Sequence, residues 1–536
     1  MWLSLRTLYQ AQDAILYGHK VAYAGSIEVM TCAEEHAMST ATKLSPDLSN
    51  GAEYVDVLII GAGISGIGAA HHLSQKCPDK SFAMLESKAS FGGTWRQHTY
   101  PGIRSDSDLY TFGYGFKPWT GKPIASGSTI LDYLEEAIED DNVDQHIRYQ
   151  HEVVSASWSD DEQRWLVEAR RKDTNELVYF TCNFLWMCQG YYRHSEGYTP
   201  QWAGMEDFKG PVIHPQTWPD DLDYTRKRVV VIGSGATAAT LIPNMADECS
   251  HITMLQRSPT YFWTGENRNE LAEQLRELEV PEEWIHEIVR RSILKLAKDI
   301  QYTSISHPEL IKEELFKVIR EYLGDDFDMS HFTPSYRPWQ QRLAYVPDGD
   351  LFEGIKSGKV SVVTDEIDRF TSQGILTKSG ELLEADIIIT ATGFNLCVMG
   401  DIAFNVNGEP VDFGKTYTYR GVMNSGVPNM AFMFGYLRTS WTMRVDLLCD
   451  FVCKLLNNMD AKGTRSCTPV LREQDQQMPM LPWIAEEEFN PGYMKRSVHL
   501  MPKRGDHEPW TFSADYYTEK EQLPLVNLDE DALVYE

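Results

Sequence analysis

Two hexads, Gly61-Ala-Gly63-Ile-Ser65-Gly66 and Gly233-Ser-Gly235-Ala236-Thr237-Ala238, have the spacing that holds a nucleotide pyrophosphate. In such a turn the first glycine allows a sharp reversal and the second lets phosphate approach the backbone. The small third residue lets a helix pack close to a strand. The helix N-terminus then presents its free N–H groups and positive end to the phosphates. What ends the next strand separates the two turns. Residues 81–86 end on Glu86, whose carboxylate accepts from ribose hydroxyls and suits the unphosphorylated ribose of FAD or NAD. Residues 251–256 are followed by Arg257 and Ser258, a guanidinium and a hydroxyl that suit a ribose 2′-phosphate. The first turn therefore reads as an FAD site and the second as an NADP site. Two such sites on one chain imply electron transfer from nicotinamide to flavin, with the protein positioning chemistry that the cofactors carry.

The elements that must position these turns are written in the hydrophobic pattern. Residues 55–60 and 228–232 are short buried-strand runs directly before each hexad, and 67–76 has amphipathic helical periodicity. At 536 residues the chain is too long for one core. The expected fold is α/β, with two Rossmann-type, doubly wound dinucleotide-binding domains. The FAD-binding domain takes 51–207 and 386–536, with a linker over 208–220. The NADP-binding domain takes 221–385 and carries a helical insertion over 265–330. A buried helix near 440–457 opens at Ser440. That residue is read either as the cap of a helix whose N-terminus stabilises anionic reduced flavin or as the cap of a plain core helix. Residues 1–50 are expected to be a disordered, dispensable extension. Gln10, Gln12 and Asp13 break the apolar start, no signal-cleavage site follows, and Met38 is a candidate natural start.

Composition excludes several classes. A formal charge of −29 argues against nucleic acid and anionic membrane surfaces as partners. No run of eighteen apolar residues exists, so no integral membrane segment is expected. The nine cysteines show no metal-ligand spacing, and Cys449 and Cys453 read as buried core thiols. No metal site is expected, and a reducing, cytoplasmic compartment fits. No cysteine lies between Cys77 and Cys182, which removes the redox pair of a disulfide reductase.

Two further segments carry a resemblance. Phe208-Lys-Gly210-Pro-Val-Ile-His214-Pro-Gln-Thr-Trp218-Pro219-Asp220 matches the linker motif of Baeyer–Villiger monooxygenases at every fixed position. Gly92-Gly93-Thr94-Trp95, continuing through Tyr100-Pro101-Gly102 to Asp106, matches that family's second motif. Residues 332–342, 346–352 and 385–394 are similar to its ethionamide-activating branch, so the resemblance spans about residues 54–510.

The resemblance implies bound FAD, NADPH as reductant, and transfer of one O2-derived oxygen to a small organic ketone or sulfur compound. In the ketone reaction a negatively charged oxygen nucleophile attacks the carbonyl. An arginine stabilises that charge without giving up a proton, since its pKa stays above about 12. Arg342 resembles the family's active-site arginine, with Arg337 as the other candidate, and Asp106 is the carboxylate expected to orient it. His214 and Trp218 complete the expected catalytic set, the histidine as a hinge of the linker instead of a general base. Thr94 and Trp95 are placed beside the flavin. Gln341 departs from the lysine that other branches use to help hold the 2′-phosphate, which leaves NADPH preference to Arg257 and Ser258. The Trp218-Pro219 pair favours the Baeyer–Villiger reaction over a flavin monooxygenase acting mainly on sulfur or nitrogen.

Overall fold

A computed structural model describes residues 51–536, and the expectations for 1–50 lie outside the described residues. Strand Glu53–Ile60 runs into helix Ile64–Lys76 and returns in strand Phe82–Leu85, which pairs parallel to the first from Val57↔Phe82 to Ile60↔Leu85. Val57, Leu58 and Ile59 are fully buried, because helices and chain cover both faces of a parallel sheet. Strand Leu177–Met187 flanks the first strand on its other edge, also parallel. Antiparallel strands His151–Ser159 and Arg164–Arg171 extend this sheet, and Ala403–Val406 and Met430–Phe432 join it from much later in the chain.

The second sheet is five-stranded and all parallel, in the spatial order Val360–Thr364, His251–Gln256, Arg228–Ile232, Ile387–Thr390, Val212–Ile213. This moves the boundary expected at 386. Ile387–Thr390 is buried along its whole length and pairs with Arg228–Ile232, so it belongs to the second sheet, and the chain returns to the first only after Thr390. The expected linker is likewise no free connector, since Val212–Ile213 forms the outer strand beside Ile387–Thr390. This buried strand of three isoleucines and a threonine has a covered neighbour on both edges, and the linker supplies one of them.

The insertion comprises helices Glu270–Glu277, Glu282–Ser306 and Pro308–Leu323. It is bracketed by strands Phe262–Gly265 and Ala344–Pro347, which pair with each other. The long helix reaches across to the first domain. Buried Arg290 donates to the carbonyls of Tyr110, Thr111 and Gly113 at 3.0, 3.2 and 2.9 Å. Helix Trp441–Lys462 packs along Ile64–Lys76, with Cys449 and Cys453 buried in its core face. Ser440 stands at its N-cap position, but the side chain does not cap. Its hydroxyl pairs instead with Thr111 Oγ1 at 2.7 Å. Among the described residues no helix is long and apolar enough to cross a membrane.

Candidate active site and cofactor cleft

A cleft of about 1270 Å³ is lined by both glycine turns and by the segments carrying Asp106 and Arg342. At the first turn Gly61 has φ +102°, where a side chain would be strained, and a methyl there would come within 2.8 Å of the Cys188 carbonyl oxygen. A methyl on Gly66 would collide with the Gly61 carbonyl oxygen, so only glycine lets this helix start so close to its strand. Gly63 faces the second glycine pair at Gly92-Gly93, and Gly92 donates its N–H to Ala62 O at 2.9 Å. Glu86 is buried and ties the turn down. One oxygen accepts from Ala62 N and the other from Lys88 N, each at 2.9 Å, and its free lone pairs still line the cleft. Thr94 and Trp95 begin the short helical turn Thr94–Gln97 on the same wall. Ser65 accepts from Trp441 Nε1 at 2.8 Å, and Trp441 stacks on Tyr191 with ring centroids 5.1 Å apart.

The second turn is barer. Gly233, at φ +126°, packs against the Ala391 carbonyl, but a methyl on Gly235 would meet open space. Ala236 and Thr237 line the cleft at the start of helix Ala236–Met245, and Ala238 is buried behind them, as Gly66 is in the first turn. Arg257 and Ser258 stand exposed at the cleft edge, and Arg257 has no carboxylate partner among the described residues.

These surroundings fit a flavin dinucleotide and a nicotinamide dinucleotide. Besides the two turns, both amide atoms of Gln189 and Nδ1 of His98 are buried in the cleft wall without a protein partner, which suits the heteroatoms of a bound cofactor. Burial pushes the His98 imidazole down to about 4, so it is neutral near pH 7.

Arg342 is held as a fork. Nε donates to Asp106 Oδ2 at 2.6 Å and Nη2 to Asp106 Oδ1 at 2.8 Å. Nη2 also reaches Ser107 Oγ at 2.8 Å, and Nη1 reaches Leu437 O at 3.2 Å. One Nη1 hydrogen is left for the cleft. Burial opposes its charge, but the Asp106 carboxylate outweighs that and holds the guanidinium above the ordinary arginine value. Arg337 does not line the cleft. It donates to the Glu487 carbonyl at 3.1 Å, tethering the tail instead.

His214 and Trp218 also lie off the cleft. His214 Nε2 donates to Gly393 O at 3.0 Å and Nδ1 accepts from Gln216 N at 3.2 Å, so backbone occupies both ring nitrogens in one neutral tautomer. Burial holds its pKa below the usual histidine value. The ring therefore pins the linker strand to the 391–393 crossing between the sheets. Trp218 packs on Tyr224, with centroids 6.4 Å apart.

Sequence reasoning missed the aromatic wall. Tyr191 donates to the Tyr192 hydroxyl at 2.7 Å, Tyr493 stands against Tyr192, and all three line the cleft beside Arg342. A usable signal existed for the first two, which lie just past the carboxyl end of a parallel strand, where open α/β sheets bind ligands. Tyr493 comes from the irregular tail and had none.

Two dinucleotide-sized turns facing one cleft define a flavoprotein of the two-Rossmann class. Comparison with known proteins agrees. Residues 123–400 match the family described as flavin-binding monooxygenase-like, and 59–125 match an NAD(P)-binding Rossmann-like domain. The chain is 46% identical over 485 residues to the FAD-containing monooxygenase EthA of Mycobacterium tuberculosis, covering 90% of this chain and 97% of that protein. It is 43% identical to the probable FAD-binding monooxygenase AlmA of Acinetobacter sp, covering 90% and 96%. The fold is that of cyclohexanone monooxygenase from Rhodococcus sp. Phi1 bound to NADP+, at a TM-score of 0.70 and 22% identity over 91% of this chain and 100% of that one. The chain belongs to the flavin-binding monooxygenase family. It is a flavoprotein monooxygenase whose cofactors are a flavin and an NAD(P) nucleotide.

Proposed function

We propose that this enzyme binds FAD at Gly61–Gly66 and NADPH at Gly233–Ala238. In this reading it inserts one O2-derived oxygen atom into a small organic ketone, giving an ester or lactone. The observation that carries the reading is the Asp106–Arg342 fork, a permanent cation aimed into an aromatic-walled cleft with one donor unused. Bound FAD would supply the activation of O2 after reduction by the nicotinamide. The protein's part is electrostatic and geometric. Arg342 offers charge and a hydrogen bond to an oxygen that becomes negative as the carbonyl is attacked, and it keeps its own proton. Asp106 fixes the fork's orientation. Burial pushes the Tyr191, Tyr192 and Tyr493 hydroxyls up, so they stay protonated; Tyr191 donates to Tyr192, and the hydrogens of Tyr192 and Tyr493 remain to be given. With Trp441 they form a wall that limits water near the reacting atoms. His214 acts at a distance, holding the linker strand against Gly393 so that the second sheet keeps its place relative to the first.

The test is product analysis under labelled O2 over a panel of ketones and sulfides. The wild type should give ester with one labelled oxygen. Arg342→Ala should keep its flavin yet lose ketone turnover by several powers of ten, because a dry pocket then holds unbalanced negative charge. Arg337→Ala should keep ketone turnover. A wild type that oxygenates sulfides but no ketone would overturn this reading in favour of S-oxygenation.

A further inference from the structure

Five arginines line the cleft: Arg104, Arg193, Arg257, Arg342 and Arg496. Three are matched to carboxylates. Arg104 pairs with Asp350 at 2.5 Å, Arg193 with Asp401 at 2.8 Å, and Arg342 with Asp106 at 2.6 Å. Arg257 and Arg496 have no carboxylate partner among the described residues. Arg257 is exposed and costs little to leave unpaired, but Arg496 is half-buried. Its guanidinium carbon lies 3.4 Å from the centroid of the Tyr198 ring, and Nη2 donates to the Phe394 carbonyl at 3.1 Å. No other donor of this group meets a protein acceptor among the described residues, and burial holds it below the ordinary arginine value. A half-buried cation that the protein supports by a ring face and one carbonyl, without a counter-charge, is poised for an anion from outside.

Its position selects which anion. Phe394, its carbonyl partner, directly follows the run Ala391–Gly393, and the Ala391 carbonyl packs against Gly233 of the second turn. Arg496 therefore stands over the chain that touches that turn, whereas Arg257 stands at the end of the neighbouring strand. The cleft also offers Gln341 and no lysine on this side. We propose that Arg496, contributed by the C-terminal segment, holds the pyrophosphate bridge of the nicotinamide nucleotide, while Arg257 holds the 2′-phosphate. The inference rests on the second turn being the NADP site. It makes the tail a structural part of that site, carried in by helix Gly492–Ser497.

The experiment is calorimetric titration of the FAD-loaded enzyme with NADP+ and with NAD+, in the absence of substrate. Arg496→Met should weaken both nucleotides by the same factor, roughly ten- to a hundred-fold for a lost charge-assisted contact. Arg496→Lys should lose part of that, keeping charge but not the planar fork. Arg257→Ala should weaken NADP+ alone. Flavin content and melting temperature report folding. If Arg496→Met loses flavin, Arg496→Lys, which keeps a stem over Tyr198, is read in its place. Unchanged affinity for both nucleotides in the Arg496 variants, or a loss confined to NADP+, would overturn the assignment. If Arg257→Ala still weakens NADP+ in that case, the reading of the second turn stands and only the Arg496 inference fails. If Arg257→Ala has no effect either, both fail.

Discussion

The two glycine turns begin from nearly the same sequence and end in opposite surroundings. The first is enclosed by its own protein. Glu86 grips Ala62, the Gly92-Gly93 backbone closes over Gly63, and Trp441 bonds Ser65 from a helix far along the chain. The second has open space at Gly235 and exposed Arg257 and Ser258 at its rim. A turn braced by its own protein can hold a cofactor through many turnovers, whereas an open one can exchange its nucleotide. The difference lies in what later segments bring to each turn and hardly at all in the hexads themselves.

The largest expected effect breaks the first turn and spares the second. Gly66→Ala should cost roughly 3 kcal/mol or more, because its methyl collides with backbone that cannot move aside, and flavin should be lost with stability. Gly235→Ala, at φ −76° and facing open space, should retain flavin and melt within a degree or two of wild type. Flavin absorbance and thermal melts of both variants decide it. Equal losses in the two would erase the contrast.

Next comes the open site itself. Arg257→Ala should lower kcat/KM for NADPH by roughly ten- to a hundred-fold and leave that for NADH alone, the lost contact being about 1.5–3 kcal/mol. Steady-state kinetics with both nucleotides measure this. Equal NADPH and NADH kinetics in the wild type would remove the 2′-phosphate role.

A smaller effect sharpens the comparison through pH. The helix after the first turn carries buried His72, whose Nδ1 is 2.9 Å from Asp450 and Nε2 3.3 Å from Asp446 on helix Trp441–Lys462. Burial alone would lower its pKa, but its hydrogen bonds and the charges of the two carboxylates outweigh that and raise it. The folded value therefore lies above the unfolded one. The stabilisation is complete below the unfolded pKa of about 6.5 and is lost as pH rises through the folded value. The melting-temperature gap between wild type and His72→Gln should be widest in mild acid and should shrink toward alkaline pH. A gap that grows with pH would mean that His72 is buried neutral.

Local chemistry made much of this legible in sequence. Glycine spacing, the Glu86 and Arg257 strand ends and the runs before each hexad are short-range patterns, and each hexad does join a strand to a helix. Two placements were decided by distant chain. Residue 386 marked a change of pattern but not of sheet, since Ile387–Thr390 pairs back to Arg228–Ile232. His214 and Trp218 belong to a recognisable motif, yet His214 fastens backbone and Trp218 packs on Tyr224, both outside the cleft, and the motif's type and spacing cannot tell a ligand contact from a pin.

By itself the sequence determined two nucleotide turns, each with its own strand end, because a turn's backbone and a strand's end are set within about thirty residues. It determined Arg342 and Asp106 as candidates only through motif resemblance. Tertiary structure alone decided that these two meet as a fork, that Arg337 turns away to the tail, and that Tyr493 and Arg496 come back into the cleft. Those contacts join residues more than a hundred positions apart, and no local periodicity encodes them. They follow from how two sheets and a returning tail pack, which is a property of the whole buried surface.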